Sequence, residues 1–176
     1  LIFDEVKTGF RHALGGYQSL CNVVPDLSTF GKAVANGYPL GVIAGKKKYM
    51  DYFIDPDKAK RVMIAGTFNA FPLTTSAAIA TIEKLANPDF QVYAHVERLG
   101  ALLEQGYKEI FPKLGVPFHV ARQGSAFCTY FMDHAPIHFH DILDNHDFDL
   151  DIKYRKDLIK EGVFNFPAAI KQGSIS

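Results

Sequence analysis

The chain has 176 residues, 48% hydrophobic and 22% charged, with 14 Gly and 9 Pro. These proportions fit a globular protein and exclude a disordered, collagen-like or disulfide-scaffold chain. Nineteen basic side chains balance nineteen acidic ones, which argues against a strongly basic nucleic-acid binder, and no apolar run reaches the roughly 18–20 residues that cross a bilayer.

The chain opens on Leu1-Ile2-Phe3 and stops at Gly173-Ser174-Ile175-Ser176. Both ends read as cuts within a longer protein, and no signal-peptide pattern is present. Leu1 to Val6 is an apolar run closed by two acids, as expected of a buried parallel strand that delivers Asp4 and Glu5 at its carboxyl end. Ligand sites in open α/β sheets lie outside those ends. A Gly-containing loop fills Gly9 to Pro25. Leu40 to Gly45 predicts a second short strand and Lys46 to Phe53 a helix. Pro72 to Leu85 predicts a long helix, with Pro at its first turn and an Ala-rich apolar face.

A second long helix is expected from Phe90 to Phe111, with Val92, Val96, Leu99, Leu102, Leu103 and Ile110 at near-helical spacing and Pro112 and Gly115 ending it. The period then changes to two. Strands are predicted over Phe118–Val120, Ser125–Met132 and Val163–Phe166, and a helix over Asp149–Lys160. The expected organisation is an α/β part over residues 1–85, a connecting helix over 86–115 and a small α+β domain over 116–176. Cys21 and Cys128 lack CxxC spacing and read as two buried thiols in a reducing compartment; the expected location is the cytoplasm.

Lys32 sits in Phe30-Gly31-Lys32-Ala33-Val34-Ala35-Asn36-Gly37. A lysine on a Gly-bounded apolar segment is expected to be partly desolvated, which favours its neutral, nucleophilic form. Paired with Asp4 at a strand end, it supplies the two groups that pyridoxal phosphate needs. One is an amine for the aldimine, and the other is a carboxylate that keeps the pyridine nitrogen protonated.

Three ordered segments carry a resemblance: Leu1-Ile2-Phe3-Asp4-Glu5-Val6-Lys7-Thr8-Gly9-Phe10-Arg11, Pro25-Asp26-Leu27-Ser28-Thr29-Phe30-Gly31-Lys32, and Ala65-Gly66-Thr67-Phe68-Asn69-Ala70-Phe71-Pro72-Leu73. Together they resemble the class III aminotransferases that depend on pyridoxal 5'-phosphate, and within them look closest to glutamate-1-semialdehyde 2,1-aminomutases. The resemblance implies the α/β fold of aspartate-aminotransferase type (fold type I), with the end of the large domain followed by most of the small one. It implies that Asp4 pairs with the pyridine nitrogen, that Val6 packs on the ring, and that Lys32 forms the internal aldimine and shuttles the proton. It also implies that Thr67 binds the cofactor phosphate in the neighbouring subunit of a homodimer. The family's phosphate cradle and ring-stacking aromatic belong to a preceding half that this chain does not include.

Near the end, the chain reads Pro167-Ala168-Ala169-Ile170-Lys171-Gln172-Gly173 where aminomutases carry an acid. Lys171 is expected to pair with a substrate carboxylate, which favours amino transfer between two molecules, an amino acid or amine and a keto or aldehyde acceptor. The alternatives are intramolecular transfer by an aminomutase and a non-catalytic dimerisation remnant. The His134, His138, His140, Asp141, His146 and Asp147 region is expected to be a polar connecting loop with no metal; extended, His138 and His140 would share a face. Lys46-Lys47-Lys48 with Lys58, Lys60 and Arg61 reads as a solvated face. Gly41 to Lys46 lacks the spacing and the following Ser/Thr of a phosphate loop. Neither a nucleic-acid nor a membrane partner is expected.

Overall fold

The computed structural model describes residues 1–175, which divide into two compact units, Leu1–Val92 and the chain from Tyr93 onward. In the first unit, β1 (Ile2–Glu5) pairs in parallel with β2 (Leu27–Phe30), and β2 pairs antiparallel with β3 (Val42–Gly45). The sheet order is β1-β2-β3. A short α1 (Tyr17–Cys21) lies in the β1–β2 connection. The predicted Lys46–Phe53 helix is α2 (Lys47–Met50), tightening into a 3-10 turn over Asp51–Phe53. Lys46 pairs with Asp26 and Lys47 with Asp51.

The long helix is α3 (Pro72–Ala86), with proline in its first turn, where a missing N–H costs nothing. Its Ala78 packs into the core with Val34 and Ala35, and Phe10, Leu40, Val42 and Ile82 surround them. Val34 and Ala35 lie in the 3-10 turn Lys32–Ala35, so α3 packs through Ala78 and Ile82 on the segment that begins with Lys32.

Among the described residues β1 pairs on one side only, with β2, and Ile2 is 65% exposed. Alternation puts Ile2 and Asp4 on one face with Leu27, Thr29 and Ile43, and Ile43 is 55% exposed as well. The covered face is the one that carries Glu5 and Ser28, both buried.

The second unit begins within α4 (Val92–Lys113) and adds β4 (His119–Gln123), β5 (Ala126–Tyr130), α5 (Phe139–Asn145), α6 (Phe148–Lys160) and β6 (Gly173–Ser174). β5 pairs antiparallel with both β4 and β6. The covered stripe of α4 runs through Val96, Leu99, Leu103, Tyr107 and Phe111, whereas Leu102 and Ile110, expected on the apolar face, are exposed. Rings of Phe111 and Phe118 stack 3.8 Å apart, with Phe131 and Tyr154 edge-on to Phe111.

Pro112 does not stop α4; it occupies the last turn. The stop comes at Gly115, in the left-handed region at φ 66°. Its N–H bonds the Pro112 carbonyl and the Val116 N–H bonds that of Phe111, the paired closure that glycine makes accessible at a helix end. Val163–Phe166 is not a strand either. Phe164 is 79% exposed, and Arg155 holds Asn165 and Phe166 through the Asn165 side chain and the Phe166 carbonyl. β6 takes the edge of β5 instead.

The histidine-rich segment contains α5 rather than only a loop. His138 is extended but His140 is helical, so the two do not share one face of an extended strand. The His138 Nδ1 accepts the Asp141 N–H as the helix cap, and His134 places one ring nitrogen on Asp133 and the other on Asp141. Among the described residues, no group of three or more His, Cys, Asp or Glu side chains is placed to hold a metal ion, and no helix is long and apolar enough to cross a membrane. Both cysteines are free thiols, but Cys21 is exposed rather than buried. Cys128 donates to the Ile170 carbonyl, and burial raises its pKa.

Candidate functional site

The carboxyl ends of β1 and β2 bring three of the expected residues into one neighbourhood. Asp4 stands opposite Thr29 in the parallel register. Its Oδ1 accepts the Val6 N–H at 3.0 Å and the Thr29 hydroxyl at 3.4 Å, and its Oδ2 has no partner among the described residues. Val6 reaches across to Gly31: a Cβ on Gly31 would lie 3.2 Å from Val6 Cγ1. Glycine at 31 therefore allows the Val6 side chain to approach the residue next to Lys32.

Lys32 follows β2 directly and opens the 3-10 turn. Its φ of 44° is left-handed, a conformation that costs a non-glycine residue roughly 1–2 kcal/mol. Lys32 is exposed, because Val34 and Ala35 rather than Lys32 face the core, and its ammonium has no hydrogen bond or ion pair among the described residues. The arrangement offers a free amine and a half-anchored carboxylate, the amine able to attack a carbonyl carbon and the carboxylate able to hold a proton on a heterocyclic nitrogen.

Glu5, beside Asp4, has a different part. It is 1% exposed, and its carboxylate accepts from the Thr8 hydroxyl at 2.7 Å and from the Tyr17 and Gln18 N–H groups at 2.8 and 2.9 Å. The Gly9 N–H bonds its carbonyl at 2.8 Å. Of the two acids at the strand end, one ties down the following loop and the other faces outward. Both acids are expected at the strand end, and the strand period of two separates them, since adjacent residues point to opposite faces. Thr29 was missed, and only the β1–β2 register identifies it.

Thr67 lies in a turn closed by the Asn69 N–H to the Gly66 carbonyl and the Phe71 N–H to that of Phe68. It precedes α3 by five residues and does not cap it. The hydroxyl is exposed and unpartnered among the described residues. Around it Val62, Met63, Ile64 and Phe68 are all at least half exposed.

Lys171 belongs to the second unit. Its ammonium lies 5.7 Å from the centre of the Phe166 ring, a cation–π distance, and its carbonyl accepts from Arg155 Nη1 at 2.9 Å. Arg155 is itself buried. Its Nε meets Asp151 Oδ1 at 2.6 Å, and its other nitrogens reach Asn165, Phe166 and Thr129. Asp151 Oδ2 accepts the Ile170 N–H at 2.7 Å and lies 3.3 Å from His146 Nε2. This network fixes the loop that carries Lys171. Nothing in the sequence marks it beyond the i, i+4 spacing of Asp151 and Arg155.

The family model for class-III aminotransferases matches residues 1–149. A glutamate-1-semialdehyde 2,1-aminomutase of Methanosphaera stadtmanae is 38% identical over all 176 residues, and the chain spans 40% of that relative's length. An omega-transaminase from Sphaerobacter thermophilus superposes with a TM-score of 0.84 at 30% identity, covering the whole chain and 39% of that structure. A transaminase with PLP bound superposes with a TM-score of 0.77 at 26% identity, again over the whole chain and 39% of that structure. The α/β fold expected from the resemblance, that of the PLP-dependent transaminases, is the fold observed.

Proposed function

The chain belongs to the class-III aminotransferase family, and from that premise we propose that it is the lysine-bearing portion of a larger enzyme that uses pyridoxal 5'-phosphate to move amino groups. The donor is an amino acid or amine and the acceptor a ketone or aldehyde. The observation that carries this reading is the pairing, at adjacent strand ends, of Asp4 with a free Oδ2 and Lys32 with a free Nζ.

The residues present fit the cofactor. Asp4 Oδ2 would hold the proton of its ring nitrogen, Val6 would lie against its ring, and Lys32 Nζ would hold its aldehyde carbon. When bound, the cofactor supplies that electrophilic carbon and a protonated ring that draws electrons from the substrate carbon. When a substrate amine takes that place, Lys32 Nζ would be the base that takes the proton from the substrate carbon and returns it on the other side of the transfer.

Thr67 would bind the phosphate of a second subunit's cofactor in a homodimer. The apolar exposure of Val62, Met63, Ile64 and Phe68 around it supports a chain-to-chain contact there. Lys171 would receive a substrate carboxylate. The free thiols of Cys21 and Cys128 suit a reducing compartment, and the cytoplasm is the assignment that follows.

A second reading, intramolecular transfer by an aminomutase, is favoured by the 38% identical relative of that name. Turnover that requires a separate acceptor identifies the aminotransferase; turnover of a single amino-aldehyde without one identifies the aminomutase.

The test is the absorbance of the intact enzyme with added cofactor, beside Lys32→Ala. A borohydride-reducible band at about 410–430 nm that depends on Lys32 is the expected result. No band, or one unchanged in the variant, would instead mark a chain that keeps the family's sequence as a dimerisation module without its chemistry.

A further inference from the structure

Asp4 is held by one oxygen from two sources. The Val6 N–H that reaches Oδ1 at 3.0 Å is a backbone donor two residues ahead, and any non-proline residue at position 6 would supply it. The Thr29 hydroxyl, at 3.4 Å from the same oxygen, comes from the neighbouring strand. It is delivered by register, because parallel pairing sets Thr29 directly opposite Asp4 with both side chains on the less covered face of the sheet.

The terminal torsion of an aspartate is broad and nearly two-fold. One donor leaves the carboxylate free to exchange its two oxygens, whereas a second donor from a fixed strand settles which oxygen is engaged. We propose that Thr29 is a positioning residue for cofactor binding: its hydroxyl, with the Val6 N–H, engages Oδ1 of Asp4 so that Oδ2 is the oxygen presented to the cofactor's ring nitrogen. This rests on the cofactor reading of Asp4 given above. The gain is preorganisation, since the carboxylate is oriented before the ring arrives and little rotational freedom remains to be lost.

Valine and serine separate the hydroxyl from the shape. Thr29→Val keeps the β-branched side chain that suits a strand and removes the donor; Thr29→Ser keeps the donor and removes the methyl group. In the intact enzyme, freed of cofactor, the dissociation constant of pyridoxal 5'-phosphate is measured by equilibrium dialysis for wild type, both variants and Asp4→Asn. The pH dependence of the bound cofactor's absorbance is recorded alongside. Thr29→Val is expected to weaken binding about three- to tenfold, the range for one ordinary net hydrogen bond, and to move the midpoint of the pH profile. Thr29→Ser should stay within about twofold of wild type, and Asp4→Asn should bind more weakly than either.

Thr29→Val binding like wild type while Asp4→Asn binds weakly would overturn the proposal, as would Thr29→Ser losing as much as Thr29→Val. Asp4→Asn binding like wild type would remove the ring-nitrogen role of Asp4 itself, a separate outcome that takes the role of Thr29 with it. Should Thr29→Val not fold, Thr29→Ala serves in its place with the same expected loss.

Discussion

Asp151 and Arg155, one turn apart on α6, bury their charges against each other: the guanidinium Nε meets the carboxylate at 2.6 Å, and the two side chains are 1% and 0% exposed. Both also bond other groups. Arg155 also serves Thr129, Asn165 and the Phe166 and Lys171 carbonyls, and Asp151 also serves Ile170 and His146. Removing one partner strands the other charge in a dry site. Arg155→Met should therefore destabilise the intact enzyme by about 3–5 kcal/mol. Asp151→Asn, which keeps an acceptor oxygen, should cost less, about 1.5–3 kcal/mol. Urea midpoints for the two variants and the double variant give the coupling. A double-variant loss equal to the sum of the single losses would show that the pair does not act as a unit.

Much of the fold is legible in the sequence where local rules and tertiary packing agree. Pro72 specifies the helix start, and Ala78 packs on Val34 and Ala35 as the expected apolar face requires, whereas Ala80 and Ile79, expected on the same face, are exposed. The failures have one cause, that a periodic or apolar pattern does not say what lies opposite. Val163 to Phe166 alternates like a strand, but Arg155 claims its polar groups. The expectation for Asp4, Val6 and Lys32 comes from motif, whereas the Thr29 contact with Asp4 and the separate duty of Glu5 follow from register and face. Lys32 was expected to lie against apolar neighbours. Those neighbours face the core, and the left-handed turn leaves the lysine outside.

That turn gives its own prediction. Lys32 holds φ at 44°, where a Cβ is unfavourable and glycine is not. Replacing the lysine with glycine should make the cofactor-free enzyme more stable than replacing it with alanine, by about 1 kcal/mol. Thermal denaturation of the two variants decides it. Alanine equal to or above glycine would mean that the backbone at residue 32 is not left-handed in the protein.

His134 lies between two carboxylates, its Nδ1 2.6 Å from Asp133 and its Nε2 2.8 Å from Asp141. With an acceptor at each nitrogen, both must donate, and those bonds raise its pKa above 6.5. The Ile137 N–H, and then His134, lower that of Asp141 below 3.8. The signs are opposite. The histidine's contribution to folding is complete below 6.5 and is lost as pH rises through its raised value; the aspartate's is complete above 3.8 and is lost as pH falls through its lowered one. The pair is thus fully engaged between those limits. Selective histidine labelling, with His134→Gln to assign the signal, should give a midpoint above 6.5 that falls in Asp133→Asn and Asp141→Asn. A midpoint at or below 6.5 would show that neither carboxylate holds the ring.

Lys171 carries its charge on a loop whose backbone is fixed: Arg155 Nη1 holds its carbonyl at 2.9 Å, and the ammonium stands 5.7 Å from the Phe166 ring centre. An exposed cation on an ordered backbone can receive a carboxylate without ordering the loop first, so its loss should fall on substrate binding rather than on the chemical step. In the intact enzyme, Lys171→Ala is expected to raise the KM of carboxylate-bearing donors and acceptors about tenfold, the size of one charge-assisted hydrogen bond, with kcat within about twofold. Lys171→Arg should keep most of the affinity, because the positive charge remains. Amine donors without a carboxylate should show no change. That contrast separates recognition of the anion from general damage to the loop, which would raise KM for both kinds of donor. An unchanged KM for donor and acceptor alike would remove Lys171 from the substrate site and leave its ammonium with the Phe166 ring alone.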